Sequence, residues 1–211
     1  MTNKDELFKR TLEEVDDYNK TQNEAGNTNN DWTIDSVNLP QPIYKEFRLK
    51  DLFTSVKRGT RLVTADRVPG NTPLITAGEV NQGVSQYIQH NTELFPANSL
   101  TIDMFGNVFY RGFDFFADDN IIVLNNPKLT RRVLNYLQSM LFWLTSNYSY
   151  TKQFRLKELD SLTLKLPVHT ADDTLPNWGY MDDYIKEIEL NYLVKQAIQA
   201  QRNIEQIRQI I

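Results

Sequence analysis

Two short segments of this 211-residue chain carry the residue types best suited to hydrogen-bonding a ligand. The first, residues 74–84, places Asn81 and Gln82 between two glycines. The second, residues 100–112, also contains two glycines, and its polar side chains include Asn107, Tyr110 and Arg111. Both segments are typical of short strands interrupted by glycine-bearing turns. Amide, phenol and guanidinium groups all form directed hydrogen bonds, so the two turns indicate a binding surface.

Catalytic residues are not found in any recognisable arrangement. The chain has no cysteine, and its two histidines, His90 and His169, lie far apart without metal-ligand spacing. Phosphate-binding glycine motifs and the GxSxG nucleophile motif are absent from the sequence. Asp118 and Asp119 resemble a carboxylate pair, but adjacent side chains in an extended chain point to opposite faces. We interpret that pair as a turn before a buried strand, and we predict a non-catalytic chain with no metal and no cofactor of its own.

Charge is distributed unevenly along the chain. The formal net charge is −4, yet residues 1–35 alone contain nine acidic and four basic residues. Residues 45–61 contain six basic residues against two acidic ones. A second small basic cluster consists of Lys152, Arg155 and Lys157. Local basic clusters on a nearly neutral body suit a polyanionic partner, although ordinary solvated charge explains the same composition equally well.

Hydrophobic periodicity predicts the strands and the helix that position these residues. Hydrophobic residues make up 40% of the chain, enough for a packed core. Alternating or continuous apolar runs predict short strands at residues 47–49, 74–76, 84–88, 99–103, 108–110, 121–124 and 162–167. Residues 68–73 contain Pro-Gly and Asn and predict a turn. Apolar residues at helical spacing predict a helix over residues 129–146.

The C-terminal region predicts one long helix, because residues 180–211 contain neither glycine nor proline. The 29 residues from Asp183 onward would span about 44 Å. A heptad seam with alternating three- and four-residue spacing consists of Leu190, Leu193, Ala197, Ala200, Ile204, Ile207 and Ile211. A seam of this length favours a coiled-coil homodimer. Packing of the helix along its own domain or on the N-terminal helix is the alternative.

Three regions are expected. Residues 1–43 form an amphipathic helix, over residues 5–18, followed by a polar linker; residues 44–170 form the main domain; residues 171–211 form a connector and the long helix. The sequence contains neither a signal peptide nor an apolar run long enough to cross a membrane. We therefore expect a cytoplasmic protein with no membrane partner.

Several short motifs occur in a distinctive order. They are Glu46-Phe47-x-Leu49-x-Asp51-Leu52-Phe53, Pro73-Leu74-Ile75-Thr76, Ser99-Leu100-Thr101-Ile102, Gly106 with Val108-Phe109-Tyr110-Arg111, and Asp119-Asn120-Ile121-Ile122-Val123-Leu124. Tyr150-Thr151-Lys152 and the apolar run ending at Pro167 continue the pattern. This order resembles the target recognition domain of type I restriction-modification specificity (S) subunits. The segment 176–185 looks like the variant found in related type II recognition subunits, and the resemblance covers residues 44–211.

The resemblance implies an α+β fold: a target-recognition-type α/β domain with a twisted mixed sheet, followed by one long coiled-coil helix. It also implies a DNA-specificity subunit whose helices set domain spacing and dock DNA methyltransferase subunits. Those partners would bind S-adenosylmethionine, and a translocase-nuclease subunit would add cleavage. A full S subunit carries two recognition domains, whereas this sequence shows one, so it resembles a "half" S subunit or a fragment.

Within that resemblance, three loops are expected to contact double-stranded DNA. Arginine pairs with guanine edges, asparagine and glutamine pair with adenine, and lysine and arginine also contact phosphates. The expected DNA-contacting residues are Lys57, Arg58, Thr60, Arg61, Asn81, Gln82, Asn107, Tyr110, Arg111, Tyr148, Tyr150, Lys152, Gln153 and Arg155. Alternatively, Tyr110 belongs to the core and Arg58 only positions a backbone contact.

Two other classes of function remain open from the sequence. One is a protein-interaction module that dimerises through its helix and does not bind DNA. The other is an unrecognised enzyme, such as part of a fused methyltransferase-nuclease, although the methyl-transfer motifs Asn-Pro-Pro-Tyr and Asp-Pro-Pro-Tyr are absent from the sequence.

Overall fold

The computed structural model describes residues 39–210, apart from the side chains of residues 201, 205 and 207–210. The amphipathic helix expected at residues 5–18 lies outside this range. The chain divides into two compact units, one formed by Gln41–Asp182 and the other containing residues 183–210. The strands of the described range are β1 (Ile43–Arg48), β2 (Ser55–Arg58), β3 (Val68–Ile75), β4 (Val84–Gln89), β5 (Ser99–Asp103), β6 (Val108–Arg111), β7 (Phe116–Ala117), β8 (Ile121–Asn125) and β9 (Thr163–Val168). The α-helices described are α1 (Arg131–Met140) and α2 (Trp178–Ile210).

The strands form three small sheets within the described range. A four-stranded antiparallel sheet has the order β2-β8-β5-β6, and a three-stranded sheet has the order β4-β3-β7 with β3 and β7 parallel. The third sheet pairs β1 with β9, from Ile43 opposite Val168 to Arg48 opposite Thr163. The predicted α+β fold, with mixed strand directions and a long C-terminal helix, is confirmed, although the strands are divided among three sheets.

The four-stranded sheet forms the centre of the main core. All five residues of β5 are buried, and so are the first four residues of β8. Helix α1 contributes four buried residues, Val133, Leu134, Tyr136 and Leu137, at the spacing expected for one apolar face. The helix ends at Met140 and continues as a 3-10 turn over Phe142–Ser146, rather than as the single helix predicted for residues 129–146.

The prediction of a turn at residues 68–73 is wrong, because this segment belongs to β3. Pro69 and Thr72 both pair with Ile88, so Gly70 and Asn71 form a bulge inside the strand. A Cβ atom on Gly70 would lie 2.4 Å from the backbone nitrogen of the neighbouring strand residue Gln89. The residues that usually end a strand therefore bend this one, and pairing with β4 continues on both sides.

A similar close approach occurs just after β2. Gly59 donates its N–H to the Ile121 carbonyl at 2.9 Å, and a Cβ atom there would lie 2.3 Å from the carbonyl oxygens of Ala117 and Asp118. This contact fixes the end of β2 against the turn that precedes β8. A side chain at position 59 would separate the two segments.

We expect Gly59→Ala to lower the free energy of unfolding by about 1–3 kcal/mol, because backbone atoms must move to admit the methyl group. Gly179→Ala is the control, since its Cβ would lie at an ordinary 3.5 Å from the Asn177 side chain. That variant should change stability by less than about 1 kcal/mol. Urea unfolding measures both variants, and equal stability of Gly59→Ala and the wild type would contradict the close contact.

Candidate functional site

A cavity of about 500 Å³ lies where several loops meet beside the end of β2. We call it the arginine groove. Its charged and amide-bearing lining residues are Arg58, Arg61, Arg67, Arg155, Asp118, Asp119 and Asn120. Two segments that were predicted as separate loops, around residues 57–61 and 148–155, each contribute to it. Four guanidinium groups against two carboxylates make the groove a basic environment.

Three of these arginines are held by defined contacts. Arg58 donates from Nη2 to Asp119 Oδ2 at 2.9 Å, and its Nε donates to the Asp119 carbonyl. Arg155 donates from Nη1 to Asn120 Oδ1 at 3.1 Å. Arg67 donates from Nε and Nη2 to the Leu62 carbonyl, at 3.0 and 2.8 Å. These contacts orient the guanidinium groups and connect the loops around the groove.

Arg61 differs from the other arginines of the groove. Its side chain is exposed, and within residues 39–210 it takes part in no hydrogen bond or ion pair. Its charge is therefore not offset by a neighbouring carboxylate. The structure leaves this guanidinium able to contact an external anion.

The loop before Arg155 presents aromatic and basic side chains. The Tyr148 ring packs edge-on against Phe154 with centroids 4.9 Å apart, and Lys152 Nζ lies 5.4 Å from the Tyr148 ring centroid. Burial, with a smaller contribution from Glu158, raises the pKa of Tyr148 above its ordinary value. Tyr150 is 77% exposed, and its carbonyl accepts a hydrogen bond from Gln153 Nε2 at 3.2 Å.

The two remaining predicted residues of the first loop do not line the groove. Lys57 forms an ion pair with Glu93 and is therefore already neutralised by a neighbour. Thr60 is exposed, and its backbone N–H donates to the Ala117 carbonyl at 2.9 Å. Both residues lie beside groove residues in sequence, but the structure places only Arg58 and Arg61 of this loop in the lining.

Asn81 and Gln82 occupy a tight turn over residues 79–83, which we call the amide turn. Both side chains are exposed. Both residues adopt left-handed backbone conformations, with φ of 50° and 52°. The Gln82 N–H donates to the Glu79 carbonyl at 2.9 Å, and the Thr76 N–H donates to the Gly83 carbonyl at 2.9 Å. Two neighbouring carboxamides are thus presented to solvent from a fixed backbone.

The second predicted turn has a different role from the one expected. Asn107 is 5% exposed and donates from Nδ2 to Asp103 Oδ2 at 2.9 Å. Arg111 is 1% exposed and donates to the Thr101 hydroxyl and the Gln82 carbonyl. Both side chains are almost fully buried in this structure, so it gives no support to the prediction that they contact a ligand directly. The cause is their position in a strand and turn that pack under the amide turn.

Burial also changes the acid–base chemistry of Arg111. Removal from water lowers its pKa to about 10, while the nearby Asp103 carboxylate acts in the opposite direction. The guanidinium therefore remains charged at neutral pH. Tyr110, the third predicted residue of this turn, is half-buried, and its hydroxyl donates to Asn98 Oδ1 at 3.3 Å.

Helix α2 carries two adjacent apolar rows. Leu190, Val194 and Ile198 are buried, although the predicted seam contained only the first of them. The exposed row consists of Leu193, Ala200 and Ile204, with half-buried Ala197 between the two rows. The rows are separated by roughly 100° around the helix axis. The side chains of Ile207 and Ile211 lie outside the described residues.

Sequence reasoning missed four of the charged or amide-bearing groove residues, Arg67, Asp118, Asp119 and Asn120. Arg67 follows the 3-10 turn Thr64–Asp66, and Asn120 belongs to the turn before β8. The Leu62 N–H donates to Asp118 Oδ1 at 3.2 Å, a contact between residues far apart in sequence. No local pattern indicates such a contact, so the sequence alone carries no signal for these residues.

Residues 39–210 contain no group of three or more histidine, aspartate or glutamate side chains placed to bind a metal ion. None of the helices described there combines the length and the hydropathy needed to cross a bilayer.

Comparison with solved structures identifies a common fold. The S subunit of a type I restriction-modification system from M. genitalium aligns with a TM-score of 0.55 and 16% identity, over 98% of this chain and 55% of that one. A structure described as showing complex assembly and conformational transition of the type I R-M system aligns with a TM-score of 0.54 and 15% identity, over 95% and 50% of the two chains. Identities this low show the fold alone.

Sequence comparison supplies a relative and a family. The type II restriction enzyme BgcI specificity subunit S.BcgI of Heyndrickxia coagulans is 26% identical over 165 residues, which cover 76% of this chain and 48% of that protein. The chain thus spans about half the length of the relatives it matches. The family model described as type I restriction modification DNA specificity domain matches residues 43–200, most of the chain. This chain therefore belongs to the type I restriction modification DNA specificity domain family.

Proposed function

We propose that this chain is a non-catalytic subunit that reads double-stranded DNA and directs a DNA methyltransferase partner to a bipartite site. Family membership supports DNA recognition, and the observation that carries the finer proposal is the arginine groove. In this proposal S-adenosylmethionine binds to the methyltransferase subunit. A translocase-nuclease subunit joins where the system also cleaves.

The arginine groove supplies the electrostatic part of binding. Phosphate contacts by arginine and lysine release counterions and contribute affinity that does not depend on sequence. Arg61 is the best placed residue for such a contact, because its charge is exposed and unpaired within the described range. Arg58 and Arg155 are oriented by Asp119 and Asn120, so they would position the duplex beside it.

The amide turn supplies base readout in this proposal. The carboxamides of Asn81 and Gln82 each carry a donor and an acceptor, the pattern that matches the N6 and N7 edge of adenine. The left-handed backbone presents both side chains outward. Tyr150 and Lys152, which are exposed, extend the proposed contact surface on the second loop.

Self-association through α2 would present two identical domains to inverted half-sites. The exposed row of Leu193, Ala200 and Ile204 supports this part of the proposal, since apolar side chains on a helix favour burial against another helix. The antiparallel pairing of two α2 helices would fix the distance between the two domains. An unread spacer of defined length would then separate the half-sites.

The proposal is tested by selecting duplexes from a random pool at physiological salt, with the chain alone and with its methyltransferase subunit. Enrichment of a split motif with a fixed spacer is the expected result. Enrichment of one short motif would support sequence-specific DNA binding by this chain but would reject the dimer. No enrichment would reject DNA reading and favour a protein-interaction module.

Arg61→Ala should weaken binding to all duplexes alike, because a phosphate contact carries no base information. The slope of log K against log salt should become shallower by about 1. Arg48→Ala is the matched control, since Arg48 is an exposed arginine of β1 that pairs with Asp51 outside the groove. Fluorescence anisotropy over a salt series measures both variants. An unchanged slope for Arg61→Ala would reject the phosphate contact.

Asn81→Gly and Gln82→Gly should change base preference at one or two positions of the selected motif. Loss of a bidentate amide–adenine pair costs about 1–3 kcal/mol of discrimination. Glycine is used at both positions because it tolerates the left-handed backbone. Gln89→Ala, which removes an exposed carboxamide at the end of β4, is the control. Uniform weakening without altered preference would place the turn against the DNA backbone instead.

Leu193→Glu combined with Ile204→Glu should abolish self-association, because burying unpaired carboxylates costs on the order of several kcal/mol. Gln199→Glu adds a charge to another part of the same helix surface and should leave association intact. Sedimentation equilibrium at tens of micromolar distinguishes the variants. A wild-type chain that stays monomeric, even with DNA and methyltransferase, would reject the dimer.

A further inference from the structure

We infer that Asp103 and Arg111 are positioning residues for base recognition, which hold the amide turn so that Asn81 and Gln82 face the DNA. This inference rests on the proposed function. It assigns specificity to two buried side chains of the β5–β6 hairpin that do not contact DNA themselves.

The amide turn has a backbone that its own residues do not favour. Asn81 and Gln82 have φ and ψ values of 50°, 35° and 52°, 33°, so two consecutive non-glycine residues are left-handed. This region is costly for residues with a Cβ atom, more so for glutamine than for asparagine, whose short side chain bonds locally. Asn81 makes such a local bond, from Nδ2 to the Val84 carbonyl at 3.3 Å. An unfavourable conformation persists only where the surroundings hold it.

Asp103 holds the beginning of this segment. Its Oδ2 atom accepts from the Gly78 N–H at 2.8 Å and from Asn107 Nδ2 at 2.9 Å. Its Oδ1 atom accepts from the N–H groups of Phe105 and Asn107, at 2.8 and 3.0 Å. One buried carboxylate therefore organises the β5–β6 turn and connects it to the residue immediately before the amide turn.

Arg111 holds the other end. Its Nη2 atom donates to the Gln82 carbonyl at 2.7 Å, and its Nε atom donates to the Thr101 hydroxyl at 3.0 Å. The guanidinium carbon lies 5.2 Å from the Phe109 ring centroid. Because the bond is to the backbone of Gln82, it fixes the peptide and leaves the exposed carboxamide available for a ligand.

The burial of the Arg111 side chain is not explained by a contribution to stability alone. The side chain is 1% exposed, and within the described residues its Nη1 atom has no hydrogen-bond partner. A complete buried pair of opposite charges can often be replaced by well-packed apolar side chains without loss of stability, so the burial of the Asp103 and Arg111 charges is weak evidence for a purely stabilising role. The hydrogen bond to the Gln82 carbonyl is a contact that an apolar side chain at position 111 could not make.

Arg111→Met tests the inference, because methionine fills a similar volume and donates no hydrogen bond. Amide hydrogen exchange at Gly78 and Gln82 should become faster by about tenfold or more, while exchange in β5 and β8 stays within about twofold of the wild type. This measurement requires no DNA. Unchanged exchange at both amides would overturn the positioning role whatever the protein binds.

Base preference, measured by selecting duplexes from a random pool, is the second test of this inference. Arg111→Met should lose discrimination by about five- to tenfold or more at the same base positions that Asn81→Gly and Gln82→Gly affect. Arg111→Met should add little to that loss in a Gln82→Gly background, because both changes disable one element. Val133→Ala, a core truncation in α1, is the control for general destabilisation and should leave base preference unchanged.

The outcomes separate this inference from the proposed function. Matching changes in base preference for the Arg111 and Gln82 variants, with faster exchange in the amide turn, support it. A wild-type motif that Arg111→Met retains unchanged overturns the inference and leaves DNA reading intact. Absence of any selected motif with the wild-type chain overturns DNA reading and the inference together.

Discussion

The buried carboxylate of Asp103 is the interaction on which the proposed recognition surface depends. It accepts four hydrogen bonds, three of them from backbone N–H groups. Such a carboxylate stabilises its fold only when its lone pairs are satisfied, and here the donors come from the β5–β6 turn and from Gly78. The same group provides a negative charge near Arg111, whose guanidinium reaches Gln82. The β5–β6 hairpin thus fixes the geometry of a turn through contacts between residues 25 and 29 positions apart in the chain.

The arginine groove is built by a similar principle, in which backbone contacts between distant segments place charged side chains together. Gly59 fits against the carbonyls of Ala117 and Asp118, and Leu62 donates to the Asp118 side chain. These contacts fix the end of β2 beside the turn that carries Asp119 and therefore orient Arg58. A chain whose net charge is −4 can still present a basic groove, because screening limits charge effects to about 8–10 Å at physiological salt.

The fold could be predicted largely from periodicity, because its strongest elements are its most apolar ones. The buried strands β5 and β8, the edge strand β9 and the long α2 follow from continuous runs, alternation and heptad spacing. The bulge at Gly70 could not be predicted, since the freedom of a glycine backbone suits a turn and a bulge equally well. The end of α1 at Met140 could likewise not be predicted, because the apolar pattern continues to Leu144.

The candidate site was less predictable, because residue type indicates hydrogen-bonding capacity but not the direction in which a side chain points. Asn81, Gln82, Arg58 and Arg61 were expected at the surface and lie there. Arg111 has the same chemistry as Arg61, yet its strand position directs it inward, where it meets the Gln82 carbonyl.

The contrast between Arg61 and Arg111 distinguishes two contributions to ligand recognition, namely affinity and specificity. In the proposed mode of binding, an exposed arginine in the groove would add affinity, whereas the buried Arg111 would act through the geometry of the amide turn. Affinity and specificity would therefore depend on different parts of this domain. Loop arginines would be exchangeable with modest structural effect, while the Asp103–Arg111 pair would constrain which side chains the amide turn can present.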